Sequence, residues 1–232
     1  LHSNLSWDGK ITIKELSELA LNQNFSFLCI TDHLKKDLDI DALKKTCSKY
    51  TNNNLKIIPG IEIEFGKTHI LSINNLIVPK TTDKIKSYNQ INKIKNAIAI
   101  LAHPRKKTDI RYFKNIESWN TKYHGSAPKI DFLEKNKIHF GGLDFHVKNQ
   151  FGKVWIIMNV KKLETNEIIA KLKKGDFKIS NGKYILNSKN PLKKKIFYIH
   201  NFFHSMYWFL RGISWKIRNR FPIIKKVVEY VR

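Results

Sequence analysis

Short apolar runs alternate along the chain with stretches in which apolar residues recur every three or four positions. The runs cover Phe27 to Ile30, Leu55 to Phe65, His69 to Val78, Ala97 to Leu101, Ile138 to Leu143 and Val154 to Val160. Each has strand length and reads as a buried strand. Between them, Thr12 followed by Glu15 forms a capping-box signature, and Ile13, Leu16, Leu19 and Ala20 then share one helical face. Asp39 to Tyr50, Thr82 to Lys95 and Thr165 to Lys174 carry the same helical period. Strand and helix in alternation predict a parallel α/β architecture, either a barrel or an open sheet.

The pattern changes near Asn187 to Lys195, where NSKNPLKKK reads as a linker. Beyond it Ile196, Ile199, Phe203, Met206, Leu210, Ile213 and Ile217 keep an alternating three-four spacing, which predicts an amphipathic helix. Trp208, Arg211, Trp215, Lys216, Arg218 and Arg220 flank this stripe. No Lys, Arg, Asp or Glu occurs from Ile196 to Leu210, but the run is shorter than the roughly 20 residues needed to span a bilayer. The expected organisation is a domain over residues 1–186 and a basic, aromatic helical extension over 187–232. Three roles fit the extension: packing on the domain or on a second copy, lying in an anionic membrane surface through residues 196–220, or stacking on single-stranded nucleic acid.

Composition leaves the globular reading intact. At 232 residues, with 42% hydrophobic and 12% aromatic residues, the chain can bury a core without staples, and wholesale disorder is excluded. The formal net charge is +24, from 43 Lys and Arg against 19 Asp and Glu. Such a charge attracts nucleic acid, anionic membrane or phosphorylated molecules. Lysine outweighs arginine, and Ile and Asn are abundant, a bias that A/T-rich coding DNA produces without any partner. Cys29 and Cys47 do not make a disulfide framework, so a reducing, cytoplasmic setting is expected, with peripheral membrane attachment as the variant the tail suggests. No signal peptide is visible, an expectation made provisional by the opening at Leu1 rather than Met.

Most histidines and several carboxylates fall at the ends of the predicted strands, where active sites of parallel α/β folds assemble. His2 and Asn4, two apart and so on one side of an extended chain, precede Asp8 in LHSNLSWDG. His33 ends FLCITDH; Glu62 in IIPGIEIEF is followed by His69 in KTHIL; His103 closes AIAILAHP; Asp144 and His146 lie in GGLDFH. Imidazole with carboxylate suits Zn, Mn or Fe, and a bridging carboxylate such as Glu62 would hold two cations close together. Asp32 reads as a turn cap outside the site, while Glu64 alternates with Glu62 and competes for its role.

The ordered set HSN…DG, TDH, PGIE…H, AHP and LDFH resembles the PHP (polymerase and histidinol phosphatase) superfamily, whose usual pattern is HxH…DG, TDH, GxE…H, HP and DxH. GKVWIIMNV and the helix ending KLKKGDFKIS resemble its closing strands and helix, so the likeness covers roughly residues 1 to 186. The resemblance implies a distorted (β/α)7 TIM-like barrel holding two or three divalent ions. It places His2, Asp8, His33, Glu62, His69, His103, Asp144 and His146 at ligand positions, and Asn4 where the family usually has a second His. It further implies a phosphoesterase in which Glu62, Asp144 and His33 are catalytic and clustered cations activate water and neutralise the departing oxygen. Arg105 and Lys106, just after His103, would bind phosphate oxygens. A phosphorylated small molecule or nucleotide is the expected partner. The competing expectation is a domain impaired by Asn4 that binds a phosphorylated ligand without turnover.

Overall fold

The computed structural model describes residues 1–34, 38–146, 148–191 and 195–220, with the side-chain surroundings of 195, 212 and 214–220 excepted. The chain forms two compact units, Leu1–Lys193 and Lys194–Arg232.

The first unit is built on a six-stranded sheet in sequence order. Its strands are β1 (Phe27–His33), β2 (Lys56–Phe65), β3 (Thr68–Ile73), β4 (Ile98–Ala102), β5 (Asn115–Asn120) and β6 (Ile138–Gly142). Helices α1 (Ile13–Asn22), α2 (Ile40–Tyr50) and α3 (Lys84–Lys93) stand at the expected places, and α4 (Thr121–His124) is a single turn after β5. Thr12 and Glu15 complete the capping box of α1, and Asp39 and Asp83 cap α2 and α3.

The all-parallel expectation fails at β3. It runs antiparallel to both β2 and β4, while the β1–β2, β4–β5 and β5–β6 pairs are parallel. The cause is local: Phe65 pairs with Thr68 across only Gly66 and Lys67, with Gly66 at φ 62°, and a two-residue hairpin cannot hold a crossover. The strand also ends at Ile73 rather than Val78, because Asn74 turns the backbone at φ 57° and the Asn75 side chain bonds back to Ser72 Oγ.

The two edges of the sheet are joined by the N-terminal segment. Thr31 N–H donates to Leu1 O, and His2 N–H donates to Phe145 O beyond β6. Asp32 holds this segment by accepting from Ser3 N–H at 2.5 Å and Ser3 Oγ at 2.6 Å. Asp32 is thus outside the candidate site as expected, but as a buried tether rather than a turn cap.

Strand alternation sets the two faces of the sheet. Ile61, Ile63, Ile70, Ala99 and Leu101 pack with Tyr88 and Ile91 of α3 into the core. Their neighbours Glu62, Leu71, Ile100 and Ala102 line the opposite, concave side. A second sheet, antiparallel, contains β7 (Trp155–Ile157), β8 (Lys178–Ser180) and β9 (Ile185–Asn187), with α5 (Thr165–Lys174) between β7 and β8. His139 N–H donates to Ser188 O, so hydrogen bonding of the first unit continues to Ser188. Cys29 and Cys47 are both free thiols.

The second unit is the helix α6 (Lys195–Arg220). The predicted stripe is exposed along Ile196, Ile199, Phe203, Met206, Leu210 and Ile213, and so are Tyr198, Phe202, Tyr207 and Phe209. Its apolar surface is therefore broader than one stripe. The side chains expected at Trp215, Lys216, Ile217, Arg218 and Arg220, and all of residues 221–232, lie outside those described. No helix among the described residues is long and apolar enough to cross a membrane.

Candidate metal centre

The parallel strands deliver their C-terminal ends to one rim of the sheet, and the reversed β3 begins there. His33 ends β1, opposite Glu62 in the β1–β2 register, and His69 near the start of β3 pairs with Glu64 and Ala102. His103 follows β4, and Asp144 and His146 follow β6. His103 and Asp144 take positive φ angles of 27° and 44°, a strained backbone for residues bearing a Cβ and one that gathers at functional sites.

Glu62, 2% exposed, is the hub of one side of the cluster. Its Oε1 lies 2.5 Å from His69 Nδ1 and 3.3 Å from His103 Nε2, and its Oε2 3.4 Å from His2 Nε2. Burial pushes its carboxyl pKa up, but hydrogen bonds from His103, His2 and His69 hold it well below the usual range. Asp8 is the hub of the other side. Its Oδ2 is 2.7 Å from His146 Nε2 and 3.4 Å from His33 Nε2, while Ser6 Oγ donates to Oδ1 at 2.8 Å. Asp144 links the sides, with Oδ1 at 3.4 Å from His2 Nε2 and 3.8 Å from His146 Nδ1.

His2 stacks against His33 and His146, at ring-centroid distances of 4.6 and 4.9 Å. Burial lowers the pKa of this imidazole, yet hydrogen bonds to Asp144 and Glu62 outweigh it and raise the pKa to about 9. Its Nδ1 is buried and has no hydrogen-bond partner. A buried nitrogen without a protein partner, beside carboxylates and other imidazoles, fits the surroundings of a bound cation. Two triplets, His2/His33/His146 and His33/Glu62/His69, offer ligand atoms that lie within 4.8 Å of one another. The donor set therefore fits divalent transition metals.

Eight of the expected residues thus converge, and three do not. Asn4 is exposed, and its backbone N–H donates to Ile11 O at 2.9 Å while its side chain takes no part in the contacts that bind the cluster. Two-residue spacing brought His2 and Asn4 to one side only on the assumption of extended chain, whereas residues 4–8 turn. Arg105 and Lys106 are exposed on the loop after His103, where both backbone N–H groups donate to Asp109 Oδ2. Glu64 places Oε1 2.9 Å from His33 Nδ1, so it supports a ligand rather than replacing Glu62.

Sequence reading missed a group from β5 and α4. Lys122 Nζ lies 2.6 Å from Asp144 Oδ2, and the Tyr123 ring is 5.0 Å from that of His103. Glu117, buried, accepts from His103 N–H at 2.7 Å and from Asn120 Nδ2 at 2.9 Å. Burial raises the Glu117 carboxyl pKa. The polar segment NIESWN offered no apolar run, and the signal it did carry was Glu117 and Asn120 three residues apart ahead of Lys122 and Tyr123.

No curated protein matches the chain. A family model, the PHP domain, matches residues 1–185, which include every strand of the main sheet and all eight clustered side chains. The chain belongs to the PHP domain family.

Proposed function

We propose that this chain is a metal-dependent phosphoesterase that hydrolyses a phosphate monoester of a small molecule, nucleotides included, in preference to a polynucleotide. The observation that carries this reading is the convergence of His2, His33, His69, His103 and His146 on Asp8, Glu62 and Asp144 at one rim of the sheet. These eight side chains would hold two or three ions drawn from Mn, Zn or Fe, in a distorted seven-stranded barrel in which the segment Leu1–Ser3, bonded to Thr31 of β1 and to Phe145 beyond β6, would take the place of a seventh strand. Bound ions supply charge neutralisation on the phosphate and acidify water.

The chain's own groups do the rest. Lys122 presents an ammonium at the edge of the cluster; burial lowers its pKa, but the hydrogen bond to Asp144 raises it overall, so it stays charged and can bind a phosphate oxygen. Arg105, one turn of loop beyond His103, adds a guanidinium on the exposed side. Glu117 fixes the strained backbone at His103 and so orients that imidazole. His33, with Glu64 Oε1 2.9 Å from its Nδ1, is oriented by that carboxylate as a ligand.

The binding-only alternative rests on Asn4. An exposed Asn4 outside the cluster leaves the other eight side chains linked by close contacts, which favours turnover. Phosphate release by two variants separates the readings. Glu62→Gln is expected to lose about 100-fold or more in turnover, because it removes the central carboxylate, while Asn4→His changes turnover only a few-fold. An inert native protein made active by Asn4→His would support the binding-only reading.

The second unit supports an association with an anionic membrane surface. Its exposed aromatic residues are joined by Arg211, whose guanidinium stacks 5.0 Å from the Trp208 ring.

A further inference from the structure

The ligand cluster forms one end of a cavity of about 830 Å3 on the concave side of the main sheet. His2, Glu62, His103 and Asp144 line that end. Leu28, Leu71, Ile100, Phe140, Ile168 and Leu172 line the middle, and the far end meets the exposed residues Gln23, Asn24 and Ser26. In parallel barrels the corresponding space is filled by layers of branched side chains. Here the small side chains of Cys29 and Ala102 stand among the lining residues and leave it open. The cavity is partly open to solvent, so an apolar occupant would displace water from its Leu, Ile and Phe walls. Its volume lies within the roughly 300–1,000 Å3 of small-molecule sites.

The walls decide what kind of molecule that is. A sugar or a nucleobase would bury hydroxyl, amide or ring-nitrogen groups against Leu, Ile and Phe side chains, at the cost of their hydrogen bonds to water. An alkyl or isoprenoid chain has no such groups. We propose that this cavity takes the apolar chain of an amphiphilic phosphate monoester, whose phosphate lies at the end lined by His2, Glu62, His103 and Asp144, where bound ions would offset the two carboxylates. The assignment rests on the phosphoesterase reading and names its substrate class. The two ends of the cavity then have complementary tasks: the charged end holds and cleaves the ester, and the apolar stretch selects for chain length.

Calorimetric titration of the metal-reconstituted full chain with methyl-, butyl-, octyl- and dodecylphosphonate, each below its micellar concentration, tests this. These non-hydrolysable probes share one head group and differ only in the chain. Affinity is expected to rise by up to roughly fourfold per methylene until the cavity is full. Ile100→Phe, which places a larger ring in the middle of the cavity, is expected to weaken dodecylphosphonate at least tenfold relative to methylphosphonate. Equal affinity along the series in the native protein overturns the inference and leaves the phosphoesterase reading standing. A chain-length dependence that Ile100→Phe, correctly folded, does not reduce also overturns it, since the chain is then bound elsewhere. Failure of every phosphonate, methylphosphonate included, overturns the phosphoesterase reading and this inference with it.

Discussion

Lys122 and Asp144 show how much one pair can decide at the residue scale. With Nζ 2.6 Å from Oδ2, the ammonium neutralises a carboxylate that also faces His2 and His146. Burial would raise the Asp144 pKa, but His2 and Lys122 hold it well below the usual carboxylate value. Cations held at Asp144 would weaken this pairing and leave the ammonium available to a phosphate oxygen. Lys122→Met is therefore expected to raise KM for a monoester about tenfold, a loss of roughly 1.4 kcal/mol, with a smaller change in kcat. Steady-state kinetics over a range of substrate concentration checks this, and an unchanged KM would remove Lys122 from substrate binding. Lys122 was illegible in the sequence because one lysine among so many carries no signal, whereas the rarer histidines stood out at strand ends. Arg105 drew attention for its place after His103, yet its backbone is engaged by Asp109 and its side chain is exposed.

At the scale of elements, the apolar-run and helical-period rules located what obeys them. Thr12 with Glu15 marked the start of α1, and in the structure Asp39 and Asp83 likewise cap α2 and α3 by satisfying free backbone N–H groups. β5 escaped because all of Asn115, Glu117, Ser118 and Asn120 are polar and buried. Such groups are tolerated inside where they are hydrogen-bonded: Asn115 Nδ2 donates to Ala99 O at 2.9 Å, Asn115 N–H to the Tyr88 hydroxyl at 2.8 Å, and Asn120 Nδ2 to Glu117 Oε2 at 2.9 Å. Only tertiary partners make that strand, and a linear pattern does not show them. The β2–β3 hairpin imposes a further demand at Gly60, where an added Cβ would run into Ser72 O and lie 3.1 Å from Ile73 Cα. Both atoms are backbone of the paired strand and cannot yield cheaply. Gly60→Ala is expected to destabilise by about 2 kcal/mol or more. In a domain of this size that lowers Tm by roughly 5 °C; a Tm unchanged in calorimetry would show that the two strands can separate without cost.

The whole molecule is two units with different physics. The first gathers five histidines and three carboxylates around a centre that its sequence announced through the order of its ligand motifs, because most of them stand at or just beyond the strand ends that share one rim. The second exposes its apolar residues along α6. What such a helix binds was not legible, since one spacing serves a protein face, a membrane or a second copy equally well. If an anionic membrane is the partner, full-length protein sediments with phosphatidylserine vesicles, and a form ending at residue 190 does so at least tenfold less, with the difference shrinking at high salt. Equal sedimentation of both forms would remove the membrane from the account. The net charge of +24 is spread beyond this helix and does not by itself predict the result. The central claim stands on the clustered ligands and is tested most directly by release of inorganic phosphate from a phosphate monoester. Protein stripped by a chelator should release none, and protein reconstituted with Mn, Zn or Fe should release it repeatedly per chain. No release with any of these metals, from protein shown to be folded, would contradict it.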